Sequence, residues 1–263
     1  MLSPLEPCLT LVGVGPGDPN LLTVAAVRAI EAADVVAYPV ARPDAEGMAA
    51  AIAAPWIGPA QPRLPLVFPM VAEAEPRLGA WRAAADALAQ AVAAGQQVVL
   101  LCEGDASLYA SCSYVLLDLA VRHPACGVRV IPGITAVAAA AAAASSEGWP
   151  WPLALQQDAL LIRPTPESAD ELEVLLDQAA AMNAVLALLK LGQRWSWVRP
   201  LLEGRGLLDQ ALFAQRVGWP EQQLAPAAAV PAGQQPYFSL LLLRQRWPEV
   251  LPEGLVQQGL GFR

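Results

Sequence analysis

With one histidine and one lysine in 263 residues, the chain lacks the side chains from which most hydrolytic and phosphate-handling sites are built. The histidine, His123, precedes Pro124 at the expected end of a helix, where an imidazole suits the exposed carbonyls. A Ser-His-Asp triad would have no other base to use. Cys8, Cys102, Cys112 and Cys126 show neither C-x-x-C pairing nor a regular framework, which argues against a zinc site and for reduced, buried thiols. Charged residues make up only 15% of the chain, and a net charge of -8 with a pI near 4.7 excludes nucleic acid, whose phosphates need clustered Lys and Arg. Long apolar runs are missing too. Ile134 to Ala144 is about half of the roughly 20 residues that a membrane span requires. The N-terminus has no basic region ahead of its first apolar run, so neither a secretory signal nor a membrane span is expected, and the cytoplasm follows as the expected compartment.

What is present is apolar and rich in alanine: 56% of residues are hydrophobic, which suits a soluble α/β protein with closely packed helices. Leu9 to Val14 reads as a buried strand, Leu21 to Ala33 as a helix and Val35 to Tyr38 as a second strand, which together make a right-handed βαβ unit on a parallel sheet. Residues 39–76 read as an irregular, proline-rich insertion around the extended piece Leu64 to Met70. A helix from Leu78 to Ala94 ends at Gly95, Gln97 to Cys102 is a strand, and a helix runs from the loop at Tyr109 to about Arg122. Gly127 to Ile131 is a strand and Ala136 to Ser146 a helix.

The segment Glu147 to Pro152 holds two Trp-Pro pairs and marks a junction between domains 1–147 and 148–263. Beyond it, strands are expected at Ala159 to Arg163, Ala184 to Leu191, Ala211 to Val217 and Tyr237 to Arg244, with helices near Glu167 to Ala181 and Trp195 to Glu203. The last strand is apolar on both faces and is expected at the centre of its sheet.

Three strand-to-helix turns, after Val14, Cys102 and Ile131, should leave one carboxyl edge of the first sheet, where open α/β folds bind ligands. The first turn, Gly13-Val-Gly-Pro-Gly-Asp18, departs from the G-x-G-x-x-G spacing of dinucleotide sites. Pro16 removes a backbone donor that a pyrophosphate would use, and Asp18 brings a negative charge to the same place. A nicotinamide-dependent oxidoreductase is therefore disfavoured. The ligand that suits acidic, glycine-rich turns is a neutral or cationic nucleoside, and S-adenosylmethionine fits. Asp18 and Asp105 serve equally well as helix caps on this reading, and Glu103 as a solvated side chain.

Val12-Gly-Val-Gly-Pro-Gly-Asp18 with Leu21-Leu-Thr23, then Ala33-Asp-Val-Val-Ala-Tyr38, Gly104-Asp-Ala-Ser-Leu-Tyr109 and Ile131-Pro-Gly-Ile-Thr135, resemble in order the motifs of the tetrapyrrole methylases. Tyr38-Pro-Val40, Leu66-Val-Phe-Pro-Met70, Ala80-Trp81 and Ser107-Leu-Tyr109 resemble, within that family, the enzymes that methylate C20 of precorrin-2 in cobalamin biosynthesis. The resemblance implies a homodimer of two-domain α/β subunits, with a parallel sheet in the first domain and a mixed one in the second. It also implies S-adenosylmethionine in a cleft between domains and the tetrapyrrole, precorrin-2 or cobalt-factor II, in an adjoining trough.

By the same resemblance Pro16 lines the cofactor site, Gly104, Asp105 and Leu108 contact its methionine end, Thr135 and Ala136 border it, and Leu191 and Ala214 close over the adenosine. Ala106 and Ala136 stand where the family commonly has proline and serine. Asp18, Glu103 and Tyr109 are positional candidates for the base that removes the meso proton, with solvent as an alternative. Arg42 and Tyr38 are the first choices for the substrate, Arg63 and Arg194 weaker ones, and Trp149, Trp151 and Trp195 either pack on the macrocycle or fill the domain junction. A related ring methyltransferase of the same pathway and a non-catalytic nucleoside-binding module are the other readings.

Overall fold

The structure, a computed structural model, describes residues 6–248. Contacts divide the chain into two compact units, Met1–Ala136 and Val137–Arg263. The first alternates strand and helix: β1 (Leu9–Gly13), α1 (Val24–Glu31), β2 (Val35–Val40), α2 (Met48–Ala53), β3 (Arg63–Val67), α3 (Ala74–Ala93), β4 (Val98–Cys102), α4 (Cys112–Arg122) and β5 (Val128–Ile131). Its strands form one parallel sheet in the order β3-β2-β4-β1-β5. β1 is buried along its whole length between β4 and β5, which is why its sequence is apolar without alternation. Leu9, Leu11 and Leu100 of these strands share one core with Leu88 of α3 and with Val115 and Leu119 of α4.

Two readings from sequence are corrected here. The helix expected from Leu21 is two pieces: Asp18 caps a short 3-10 helix at Pro19–Leu21, the chain then extends at Leu22, and α1 starts only after Thr23, whose hydroxyl accepts the Ala26 N–H at 3.1 Å. Residues 39–76 are not irregular, for they contain α2 and β3. Pro65 masks the strand pattern, yet β3 is an edge strand, where a missing N–H is tolerated.

The second unit opens with α5 (Ala136–Ser146), which starts at the boundary residue; the sequence reading gives this helix to the first domain. It continues with β6 (Ala159–Pro164), α6 (Ala169–Ala181), β7 (Ala184–Leu189), α7 (Trp195–Gly204), β8 (Ala211–Gln215), β9 (Gln223–Pro226) and β10 (Ser239–Arg244). The sheet order is β6-β7-β10-β8-β9, parallel at β6–β7 and antiparallel elsewhere, so this sheet is mixed. β10 is central and buried at every residue, as its two apolar faces require. β9 has no counterpart in the sequence reading, because it is a short edge strand ending in proline. No helix among the described residues is long and apolar enough to cross a membrane.

β10 ends in a buried charge. Arg244 and Asp158 are each 2% exposed and ion-paired, and the Arg244 guanidinium also donates to the carbonyls of Pro152 and Leu153. Burial pushes the Asp158 carboxyl up, but Arg244, the Leu155 N–H and the Asn183 amide outweigh it and hold the group below the usual aspartate range. The pair thus ties the segment after α5 to the far end of the central strand. Arg244→Ala, which leaves Asp158 buried without its cation, is expected to lower stability by about 3–5 kcal/mol in urea unfolding followed by tryptophan fluorescence.

Candidate cofactor site

The first sheet's register aligns its three turns. Gly13 is opposite Cys102 and Val12 opposite Ile131, so the chain leaves β1, β4 and β5 at neighbouring points of one carboxyl edge. Beyond the strands the turns stay joined: the Val14 N–H donates to the Cys102 carbonyl at 2.9 Å, Gly15 to Gly104 at 3.1 Å and Gly104 back to Gly15 at 2.8 Å. Here the glycines are required by space. A Cβ on Gly13 would lie 2.5 Å from the Gly133 nitrogen, and one on Gly133 would overlap the Gly104 carbonyl oxygen. Gly104 is different: its φ is +65°, and a Cβ there would meet nothing within 4 Å among the described residues, so backbone faces open space.

Asp105 locks this arrangement. One carboxylate oxygen accepts the Gly133 N–H at 2.9 Å, and the other accepts the Ser107 N–H at 2.8 Å and the Ser107 hydroxyl. Desolvation pushes the carboxyl up, but the Ser107 hydroxyl and the N–H groups of Gly133, Ser107 and Leu108 hold it below the usual range. Glu103 makes no hydrogen bond among the described residues; the residue reaches solvent, while the protein packed around its carboxyl partly desolvates that group and pushes it up. Of the three carboxylates in these turns, Glu103 alone is unengaged, since Asp18 accepts from the Asn20 N–H at 2.8 Å and from its amide at 2.9 Å.

Pro16, Gly104, Asp105, Leu108, Thr135 and Ala136 therefore all belong to the three converging turns or to the first residue of α5. Tyr109 follows in the second turn, exposed and left-handed at φ 53°, and its conformation delays α4 to Cys112. Leu191 and Ala214 lie in the second unit, both fully buried at one end of its sheet: the Leu191 N–H donates to Ser239 at 3.0 Å, and Ala214 faces Leu240 across the ladder. Tyr38 sits on β2 with its ring against Gly47, where a Cβ would collide with it. Arg42 is exposed just past the carboxyl end of β2.

Other expected residues are placed elsewhere. Arg63 opens β3 at the amino edge, away from the turns, and Arg194 is ion-paired to Glu167. Trp195 is core, wholly buried with its ring nitrogen donating to the Pro231 carbonyl, and Trp151 is buried as well. His123 caps α4 and its Nε2 lies 2.7 Å from Asp86. The sequence reading misses Ser107, whose place two residues after Asp105 is the spacing of an Asx turn.

The turns fit a cationic, phosphate-free nucleoside. Their side-chain set is carboxylate and hydroxyl with no Lys or Arg, and open space lies above Gly104.

Gly133→Ala is expected to cost about 3 kcal/mol through the clash with Gly104, whereas Gly104→Ala, strained only by its φ, should cost about 1 kcal/mol; urea unfolding separates the two. For Asp105 the sign follows from its depressed carboxyl: the stabilisation is present above the ordinary aspartate value and is lost as pH falls through the folded one. The stability gap between wild type and Asp105→Asn should thus be full at neutral pH and narrow below about pH 4.

Comparison with known proteins agrees with this geometry. The family model described as Tetrapyrrole (Corrin/Porphyrin) Methylases matches residues 8–229. The cobalamin biosynthesis protein CobIJ of Mycobacterium tuberculosis is 38% identical over 240 residues, covering 88% of this chain and 45% of the relative, so the chain spans about half the length of that protein. A precorrin-2 C(20)-methyltransferase of Sinorhizobium sp is 35% identical over 241 residues, covering 88% of this chain and 93% of the relative. The crystal structure of the methyltransferase CobJ superposes with a TM-score of 0.62 at 23% identity, covering 93% of this chain and 97% of that one, a likeness of fold. With its motifs, a sheet in each unit and the interlocked turns of the first, the chain belongs to the tetrapyrrole (corrin/porphyrin) methylase family.

Proposed function

We propose that this protein is an S-adenosylmethionine-dependent C-methyltransferase that methylates C20 of precorrin-2, giving precorrin-3A, or of its cobalt form. The observation that carries this reading is the phosphate-free cradle at Gly13, Gly104 and Gly133, with Asp105 engaged on backbone N–H groups and Glu103 left unengaged. Identity to the Sinorhizobium precorrin-2 C(20)-methyltransferase along nearly the whole of both chains supports the choice of substrate. The homodimer implied by the family resemblance is part of the reading, and sedimentation velocity tests it.

The cofactor supplies a methyl group on a positively charged sulfur. The chain's contribution is chiefly placement, which in favourable intramolecular cases provides about 7–11 kcal/mol of a barrier. Pro16, Gly104, Asp105, Leu108, Thr135 and Ala136 hold the cofactor along rigid backbone. Glu103 accepts the meso proton: its carboxyl oxygen is unengaged, and a carboxylate pushed up by desolvation is a stronger base. Arg42 and Tyr38, at the carboxyl end of β2, bind the polycarboxylate substrate, with Arg42 giving charge-assisted hydrogen bonds to its acid groups.

Incubation with labelled S-adenosylmethionine and either precorrin-2 or its cobalt form, followed by NMR of the product, should place the label at C20; a label elsewhere on the ring overturns the positional claim. Arg42→Ala should raise the substrate KM about tenfold while cofactor affinity stays unchanged. For Glu103 the active form is the carboxylate, so kcat should fall as pH drops through its raised value. Glu103→Gln should lower kcat by at least about 100-fold and abolish that acidic limb, measured as a pH profile.

A further inference from the structure

The second unit carries a cavity of about 680 Å3 lined by the loop after β7 and by residues 234–237. This loop is strained and tightly held. Lys190 has a φ of +57°, a left-handed conformation that a side-chain-bearing residue adopts only under strain, and Gly192 follows at +48°. The two residues that follow the strained one are stitched to β10 and to the segment leading into it: the Leu191 N–H donates to the Ser239 carbonyl at 3.0 Å, the Gly192 N–H to the Ser239 hydroxyl at 3.1 Å, and the Gln235 N–H to the Gly192 carbonyl at 3.2 Å. The Ser239 hydroxyl in turn donates to Pro236 at 2.7 Å. A backbone conformation that disfavours lysine is thus imposed at the one position where the chain has a lysine.

The charges of the cavity are uneven. Arg194 is neutralised by Glu167, both on the lining. Lys190 makes no ion pair among the described residues; its ammonium lies 6.0 Å from the centre of the Tyr237 ring. An aromatic face positions a cation without cancelling its charge as a carboxylate would. The cavity therefore presents a net positive group, rimmed by the amides of Gln193, Gln234 and Gln235, on a protein of net charge -8.

We propose that Lys190 is a substrate-anchoring residue, its ammonium binding a peripheral carboxylate of the polycarboxylate tetrapyrrole in the cavity between the β7 loop and residues 234–237. The proposal rests on the function proposed above and extends it to a site in the second unit. A carboxylate suits the ammonium by charge, and the glutamine amides can donate to its remaining lone pairs. The tetrapyrrole and the methionine end of the cofactor both carry carboxylates, and the assignment here is to the tetrapyrrole.

The test is equilibrium titration of the full chain, in wild type, Lys190→Gly and Lys190→Arg, with precorrin-2 and separately with S-adenosylhomocysteine. Glycine accepts a φ of +57° without strain, so Lys190→Gly removes the ammonium while folding is kept, and thermal melts should show it. Precorrin-2 affinity is expected to fall about tenfold in Lys190→Gly, to stay within about threefold in Lys190→Arg, and to lose part of its salt dependence in the glycine variant. Affinity for S-adenosylhomocysteine should not move. Unchanged precorrin-2 affinity in Lys190→Gly overturns the proposal, as does a loss confined to S-adenosylhomocysteine, which would give the cavity to the cofactor. Wild type that binds precorrin-2 but methylates it at another carbon overturns only the positional claim, and wild type that does not bind precorrin-2 overturns both.

Discussion

Everything at the first sheet's carboxyl edge depends on three backbones being closer than side chains would permit. Gly13 and Gly133 have no room for a Cβ, and Gly15 and Gly104 exchange hydrogen bonds as a bridge beyond the last ladder pair. Because β1 lies between β4 and β5, these contacts extend the sheet's register into the loops, so the turns inherit the rigidity of the strands. Asp105 completes the lock from outside the ladder, with its carboxylate on the N–H of the third turn. The result is a wall of backbone whose shape does not depend on flexible side chains, which suits the alignment-governed reaction proposed above. Ala106, between the two residues of this lock, is itself buried, and its side chain takes no part in the hydrogen bonds made by its neighbours Asp105 and Ser107.

The second unit solves a similar problem with side chains. Its sheet is mixed, so its loops do not all leave one edge, and the turn after β7 is instead anchored by the Ser239 hydroxyl and the start of β10. At the other end of β10 the Arg244–Asp158 pair fixes the strand to the segment that follows α5. One buried apolar strand thereby carries a polar clamp at each end.

The main lines of this architecture could be read from the sequence where local chemistry and tertiary role agree. β1 and β10 are apolar on both faces because both lie inside sheets, and the three turns are recognisable because glycine follows each strand, joined by proline in the first and third turns. What escaped was set by neighbours distant in sequence. β3 and β9 contain prolines that only an edge position excuses, α2 has no side-chain cap to announce it, and the 3-10 helix at Pro19 borrows the cap expected for α1. At the site, the family resemblance implies that Asp105 contacts the cofactor and the two-residue spacing to Ser107 is that of an Asx turn, but the grip of Asp105 on Gly133 exists only once the strands are in register. Arg194 illustrates the converse: an arginine in a suitable loop looks available until its partner Glu167, far off in sequence, is brought beside it.

Charge accounting then bears on where the polyanionic substrate proposed above would be held. Arg122, Arg194, Arg199, Arg205, Arg216 and Arg244 are all engaged with carboxylates among the described residues. A cation already paired can bind a substrate carboxylate only by releasing its own, so it contributes little net attraction. On a protein of charge -8 the long-range field is repulsive to a polycarboxylate, and local, unpaired cations must overcome it. Lys190, beside an aromatic ring, and Arg42, at the carboxyl end of β2, make no such pair among the described residues; Arg28, Arg63, Arg77, Arg82, Arg129, Arg163 and Arg246 are also without one, but none of them belongs to the turns after β1, β4 and β5 or to the lining of the second unit's cavity. Acidity elsewhere on the chain then favours selectivity, because an acidic ligand gains affinity only where an unpaired cation meets one of its carboxylates.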